Sequence, residues 1–211
     1  MDISRAEPFV AEALERWCKP SRIEHSRSVA ATAETLCERF GLDPERGRLA
    51  GLAHDIAKDR LLPEQWAEAR AAASYPELAF IAAAVARMEA EPAFADKIIH
   101  GPAAAAILGR NESLRSAGRS DEDILEAIAC HSSAGIEMRP LAKIVFIADK
   151  IEPRRPYLTE ADRHAVATLN LDDLLIHALR LSISWLRRND RAIAQSTLDL
   201  YNALTKREAA K

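Results

Sequence analysis

The chain has 211 residues, 29 of them basic and 32 acidic, for a formal net charge of −3. That length matches about one domain with enough chain for a real core, and the near-even charge excludes a general nucleic-acid binder or a protein held to membranes by charge alone. With 48% hydrophobic and 29% charged residues the chain is globular rather than disordered, and no apolar run approaches the ~20 residues of a membrane span.

Seven glycines, abundant alanine and the lack of alternating β-branched runs predict an all-α fold, a single compact helical bundle. Ser21-Arg22-Ile23-Glu24 reads as a capping box opening a helix with Val29, Ala33, Leu36 and Phe40 on one stripe, ending at Gly41. Asp43-Pro44 reads as an N-cap and first-turn proline of a helix running through Leu49, Leu52 and Ile56. Pro63 starts another helix, and Pro76 begins an alanine-rich stretch to Met88. Ser120 to Asp123 is a second capping signature, opening a helix toward His131. Pro140 precedes an amphipathic helix with Leu141, Ile144, Val145, Ala148 and Ile151, and two more helices follow Asp172 and Arg191. Residues 89–97 and 111–119 read as the least structured. The opening Met1-Asp2-Ile3-Ser4-Arg5 lacks the order of a signal peptide. Cys18, Cys37 and Cys130 form no CxxC pair, which argues against a disulfide framework. A cytoplasmic protein is the expectation.

Six histidines carry the chemical signal. His164 and His177 sit in ordinary helical patterns. His25, the adjacent His54 and Asp55, His100, His131 and Asp149 lie instead in apolar helices or at helix ends. A carboxylate in an apolar helix costs several kcal/mol unless it is paired or metal-bound. Asp55 with Lys58, and Asp149 with Lys150 or Arg154, are the ion-pair alternatives. Imidazole and carboxylate donors without thiolate suit Mn, Fe, Zn or Co, with Mg also open. Six such ligands are about the number needed for two ions with positions left for water. Lys58, four residues after His54, faces the same way on a helix and is the first choice for a phosphate contact. Trp17, Trp66 and Trp185 read as helix-packing residues and Cys130 as a small core residue. Glu152 orients either a ligand or an arginine. The apolar helix faces suit a core or a homodimer seam equally.

The order His25, His54-Asp55, His100, His131, Asp149 resembles the metal-binding signature of HD-domain phosphohydrolases. Ala50-Gly51-Leu52-Ala53-His54-Asp55-Ile56-Ala57-Lys58, Ile99-His100-Gly101-Pro102-Ala103 and Ala127-Ile128-Ala129-Cys130-His131-Ser132 look like the YqeK branch of that family. So do the run from Met138 to Arg155 and Tyr201-Asn202-Ala203-Leu204. The likeness covers roughly Ser21 to Leu204. It implies one HD domain over 1–211, with a metal-binding core at about 21–155 and C-terminal helices at about 159–207. It also implies a symmetrical bis(5′-nucleosyl)-tetraphosphatase that cuts diadenosine tetraphosphate to two ADP, with a metal-bound hydroxide attacking an inner phosphorus.

By the same resemblance His25, His54, Asp55 and Asp149 are the core metal ligands, and Asp55 bridges two ions. His100 and His131 complete a second metal position or bind phosphate. The cofactor is a divalent metal, two ions per chain, iron, manganese, cobalt or zinc. Asp55 and Lys58 are the catalytic residues; Arg22, Lys58, His100, His131, Ser132 and Arg155 bind the nucleotide. The partner is thus a small-molecule nucleotide, not nucleic acid or membrane. Two departures stand out: Ser132-Ser133 replaces the usual threonine, keeping a hydroxyl, and residues 62–97 are longer and richer in alanine than usual. Another HD phosphohydrolase acting on mono- or cyclic nucleotides, and a non-catalytic nucleotide-sensing protein, are the alternatives.

Overall fold

Proline and short capping side chains set most of the helix starts. In this computed structural model, which describes residues 1–90, 92–114, 121–133 and 138–209, the chain forms α-helices with short 3-10 turns and no strand among the described residues. The helices are α1 (Ile3–Trp17), α2 (Pro20–Phe40), α3 (Pro44–Ala53), α4 (Leu62–Ala71), α5 (Ala79–Ala90), α6 (Pro92–Ile98) and α7 (His100–Arg110). After them come α8 (Glu122–Cys130), α9 (Pro140–Ile151), α10 (Glu160–Thr168), α11 (Leu171–Arg188) and α12 (Gln195–Ala209). Asp43 caps α3, accepting from the N–H groups of Glu45 and Arg46 at 3.1 and 3.3 Å. Pro44, Pro63 and Pro140 occupy first turns, where the missing N–H is no loss. Gly41 ends α2 at φ 69°, a left-handed conformation that glycine adopts without steric cost.

Several expectations are corrected. Ser21 and Glu24 form no capping box: α2 begins two residues earlier than that box would start it, at Pro20, after Lys19 with no side-chain cap. Proline's fixed φ starts the helix there and leaves Ser21 inside its first turn. Asp121 precedes α8 without a side-chain cap bond, and Ser120 lies outside the described residues. Residues 89–97 belong mostly to α5 and α6. Of 111–119, residues 112–114 form a 3-10 turn and those from 115 onward lie outside the described residues. Helix α1 was not expected, and α10 falls within the C-terminal helices expected at about 159–207. A reciprocal capping box opens α10: Asp162 N–H donates to Thr159 Oγ1 at 3.2 Å, and Thr159 N–H to Asp162 Oδ2 at 2.8 Å.

Helix α2 packs on α3 and α9, α3 on α8, α7 on α8, and α9 on α11. Every residue of α7 from His100 to Gly109 is buried, the mark of a helix apolar all round. In α9, Ile144, Val145, Phe146, Ile147 and Ala148 are buried. Burying a side chain such as Phe146 or Ile147 contributes about 1.5–3 kcal/mol, which helps to hold Asp149 of the same helix out of water. Two glycines let helix backbones near the site approach closely. A Cβ on Gly51 would lie 2.8 Å from Ala30 Cα and 3.0 Å from the Val29 carbonyl oxygen. One on Gly101 would lie 2.8 Å from the Ala129 carbonyl oxygen and 3.3 Å from the His131 ring. Backbone contact at these points draws α3 onto α2 and α7 onto α8. Trp17 packs under the Arg60 guanidinium, Trp66 donates to Asp96, and Trp185 on α11 is exposed. Among the described residues, no helix is long and apolar enough to cross a membrane.

Candidate metal centre

Two histidines end the helices that carry them. His54 donates from Nδ1 to the Gly51 carbonyl at 2.6 Å, competing for the oxygen that a continuing helix would give to the Asp55 N–H. Helix α3 stops at Ala53, and the chain continues in turns, with Lys58 N–H on the Asp55 carbonyl at 2.9 Å. The expected helix through Ile56, with His54 and Asp55 inside it, is therefore three residues too long. His131 repeats the device: its Nδ1 donates to the Ile128 carbonyl at 2.7 Å, and α8 stops at Cys130. With Nδ1 engaged as donor, each Nε2 presents a lone pair. His25 is oriented differently. Its Nδ1 lies 3.3 Å from Oε1 of Glu152, a buried carboxylate at the end of α9. Glu152 Oε2 accepts from Ser28 Oγ and from the Arg154 N–H, both at 2.8 Å. The geometry supports both roles open to Glu152: its Oε1 faces His25 Nδ1 at 3.3 Å and also lies 3.6 Å from Arg155 Nε.

The second nitrogens converge on carboxylates. Asp55 Oδ1 lies 3.2 Å from His100 Nε2 and 3.3 Å from His131 Nε2, while Oδ2 lies 3.5 Å from His54 Nε2 and 3.9 Å from His25 Nε2. His100 Nε2 and His131 Nε2 are 3.1 Å apart. Asp149 Oδ1 lies 3.1 Å from His25 Nε2. Two three-residue groups can thus hold an ion, His25-His54-Asp55 and Asp55-His100-His131, and Asp55 belongs to both. On an ion with bonds of about 2.1 Å, ligand atoms at right angles are about 3.0 Å apart and tetrahedral ones about 3.4 Å. Most of the separations fall in that range. His54 Nε2, fully buried, has no hydrogen-bond partner. A lone pair facing a carboxylate at this range is repelled, and a cation between them removes the conflict; the donor set fits a divalent ion.

Charge and burial act together here. Burial pushes His100 down to about 3 and lowers His131 as well, outweighing the opposite pull of the Asp55 carboxylate beside them. Both rings therefore stay neutral. Burial opposes a charge on His54 too, but Asp55 and Asp149 outweigh it and raise this histidine above 6.5. Burial alone would raise Asp55 and Asp149. His54, His100 and His131 hold Asp55 well below 3.8, and Lys150, His25 and Arg155 do the same for Asp149. Burial lowers Lys58.

Every residue singled out for the site gathers here, though not always in the expected posture. Lys58 Nζ lies 3.0 Å from His100 Nδ1 and donates to the Lys97 carbonyl at 3.2 Å; a turn rather than a helix face places it there. Ser132 Oγ lies 3.0 Å from His100 Nε2 and 2.9 Å from His131 Nε2. Arg22 donates to Asp55 Oδ2 at 2.6 Å, so arginine rather than Lys58 is the ion-pair partner of Asp55. Asp149 accepts from Lys150 and Arg155, whereas Arg154 pairs with Glu24 at 2.6 Å. His177 donates to Asp162 at 2.9 Å and His164 is exposed, so both stand outside the cluster. Of the two partners the sequence offered Asp149, Lys150 is the one it takes, and Arg155 joins it from six positions on, a spacing that gave no signal because it spans the end of α9.

The HD domain family model matches residues 22–154. The chain is 31% identical over 183 residues to the symmetrical bis(5′-nucleosyl)-tetraphosphatase of Halalkalibacterium halodurans, covering 87% of this chain and 88% of that protein. Its counterpart of the same name from Bacillus subtilis is 30% identical over 186 residues, 87% and 89% of the two chains. The Staphylococcus aureus protein of that name is 28% identical over 207 residues, 96% and 94%. Among solved structures, an HD superfamily hydrolase involved in NAD metabolism from Clostridium acetobutylicum superposes with a TM-score of 0.71 at 27% identity, covering 95% of this chain and 97% of its own. On the histidine and aspartate cluster and these likenesses together, the chain belongs to the HD domain family.

Proposed function

We propose that the chain is a metal-dependent phosphohydrolase that cleaves dinucleoside tetraphosphates symmetrically, so that diadenosine tetraphosphate and one water give two ADP. The observation that carries this reading is the pair of ligand groups sharing Asp55, set at metal-ligand spacing in a family whose curated relatives bear that activity in their names. His25, His54, Asp55 and Asp149 would hold one ion, and Asp55, His100 and His131 a second, drawn from iron, manganese, cobalt and zinc. Such ions supply Lewis-acid activation of water near neutral pH and neutralise charge on phosphate oxygens.

The remaining work belongs to the chain's own side chains. Arg22 and Arg155 aim the Asp55 and Asp149 carboxylates. A guanidinium carries five N–H donors, so each keeps some to offer phosphate oxygens. Lys58 and Ser132, both beside His100, stand where they donate to the same oxygens. We read the whole chain as one HD unit, because α9 carries Asp149 and packs on α11. Its three free cysteines fit the reducing cytoplasm.

The test is metal content and product analysis on wild type and Asp55→Ala in parallel. ADP as the sole product, two ions per chain and loss of both in the variant are expected. ATP with AMP would overturn the symmetrical reading. Bound metal without turnover of the tetraphosphate, but with turnover of a mono- or cyclic nucleotide, would replace the substrate.

A further inference from the structure

A cavity of about 310 Å³ opens beside the His100–His131 half of the cluster, at the lower end of the roughly 300–1,000 Å³ range of small-molecule sites. Its lining mixes two chemistries: Ser132, Lys150 and Arg155 are polar or cationic, while Tyr157, Trp185 and Leu186 are aromatic or apolar. The first three are also cluster residues: Ser132 touches both histidines, and the two cations clamp Asp149. The cavity thus borders the candidate metal centre and shares its cationic side chains.

The aromatic part of the lining is partly fixed. Tyr157 donates its hydroxyl to the Lys150 carbonyl at 2.9 Å, which pins the ring beside Lys150. Trp185 comes from α11 and is 38% exposed, the aromatic member of the large hydrophobic side chains left exposed among the described residues. An indole that shares a cavity lining with Ser132, Lys150 and Arg155 matches a ligand that carries both phosphates and a flat apolar ring. Stacking on such a wall favours any base, because every base has a π-face.

We propose that Trp185, with Tyr157 beside it, is the base-stacking wall of a nucleoside diphosphate subsite on the His100–His131 side of the centre. The sequence pattern assigned Trp185 to helix packing; the cations of its cavity come from residues 150 and 155 through the fold, whereas Arg187 and Arg188, next to it in sequence, are not among the lining residues. The proposal rests on the nucleotide reading above, but its test does not need turnover.

ADP and inorganic pyrophosphate are titrated separately, by calorimetry, into the metal-loaded full chain as wild type, Trp185→Ala and Trp185→Phe. Loss of an aromatic stacking partner weakens ADP binding on the order of tenfold. The expected result is that Trp185→Ala shows that loss for ADP with pyrophosphate unchanged, while Trp185→Phe recovers most of it. Quenching of tryptophan fluorescence by ADP should be present in wild type and greatly reduced in Trp185→Phe, although that variant still binds. Equal weakening for ADP and pyrophosphate, or none for either, overturns the stacking role. Sensitivity of ADP binding to Trp185→Ala, without cleavage of diadenosine tetraphosphate by wild type, would remove the proposed reaction and keep the subsite. Symmetrical cleavage with ADP binding indifferent to residue 185 would do the reverse.

Discussion

Glu152→Gln changes one atom and one charge, and the structure leaves the amide no satisfactory orientation. Glu152 takes part in three hydrogen bonds, His25 Nδ1–H on Oε1 and Ser28 Oγ–H with the Arg154 N–H on Oε2, and Oε1 also lies 3.6 Å from Arg155 Nε. If the glutamine carbonyl stays on His25, its NH₂ meets the Arg154 N–H donor to donor. If it turns toward Ser28 and Arg154, two bonds survive and the NH₂ meets His25. The ring must then accept at Nδ1 and carry its proton on Nε2, the nitrogen 3.1 Å from Asp149. A protonated Nε2 has no lone pair for an ion. Loss of an outer carboxylate behind a ligating histidine costs 10–100-fold in metal affinity, or about 1.4–2.7 kcal/mol. The fold itself keeps two of three hydrogen bonds and should lose only about 1 kcal/mol. Calorimetric titration of manganese into chelator-stripped protein, with urea midpoints in chelator, separates the two quantities. Unaltered manganese affinity would refute the tautomer argument, and a fall matched by an equal loss of apo-protein stability would reduce Glu152 to packing.

With chelator present, stability should fall as pH drops below 6.5. There the unfolded histidines take up protons that His100, held at about 3, and His131 refuse; each contributes a slope of up to about 1.4 kcal/mol per pH unit. His54, shifted upward, is charged in both states below 6.5 and adds no slope there. Urea midpoints at pH 7 and 5.5 measure this, His100→Gln should remove one of the two contributions, and a midpoint that does not fall would contradict the burial argument. Gly51→Ala drives a methyl into Ala30 backbone at 2.8 Å and should cost about 1–3 kcal/mol, read as a lower melting temperature; an unchanged value would mean α2 and α3 separate freely. Burial raises the thiols of Cys18 and Cys130 to about 11 and Cys37 to about 12, so a disulfide reagent at pH 8 should modify native protein slowly and release three equivalents only on unfolding.

Residues that act locally were the readable part of the sequence. Asp43-Pro44, Gly41 and Pro140 fix backbone conformation through their own chemistry, and the helices they bound appear where expected. Helix α1 escaped notice because Pro8 lies inside it, where proline normally breaks a helix. The end of α3 was misplaced because Ala-Gly-Leu-Ala-His-Asp-Ile-Ala carries no breaker that periodicity can detect. A side-chain bond from His54 to Gly51 competes with the helix instead. At the site the histidines and aspartates were legible as a set, since polar groups stand out in apolar surroundings. Their partners were not. Arg22 reaches Asp55 across 33 positions and Glu152 reaches His25 across 127, separations at which only the packed fold decides who meets whom.

The two glycine contacts have a consequence for how this scaffold can change. Gly51 and Gly101 tie the separations between histidine-bearing helices to backbone contact, and packed interiors resist even one added methylene. The interior thus works as a fixed gauge, set by helix spacing and closed to gradual adjustment. The face of α11 that bears Trp185 has the opposite character: its side chain reaches solvent, and exchanging it disturbs no ligand spacing. Drift in ligand preference can accumulate on that rim at little cost in stability, while the gauge that positions the ions stays as it is.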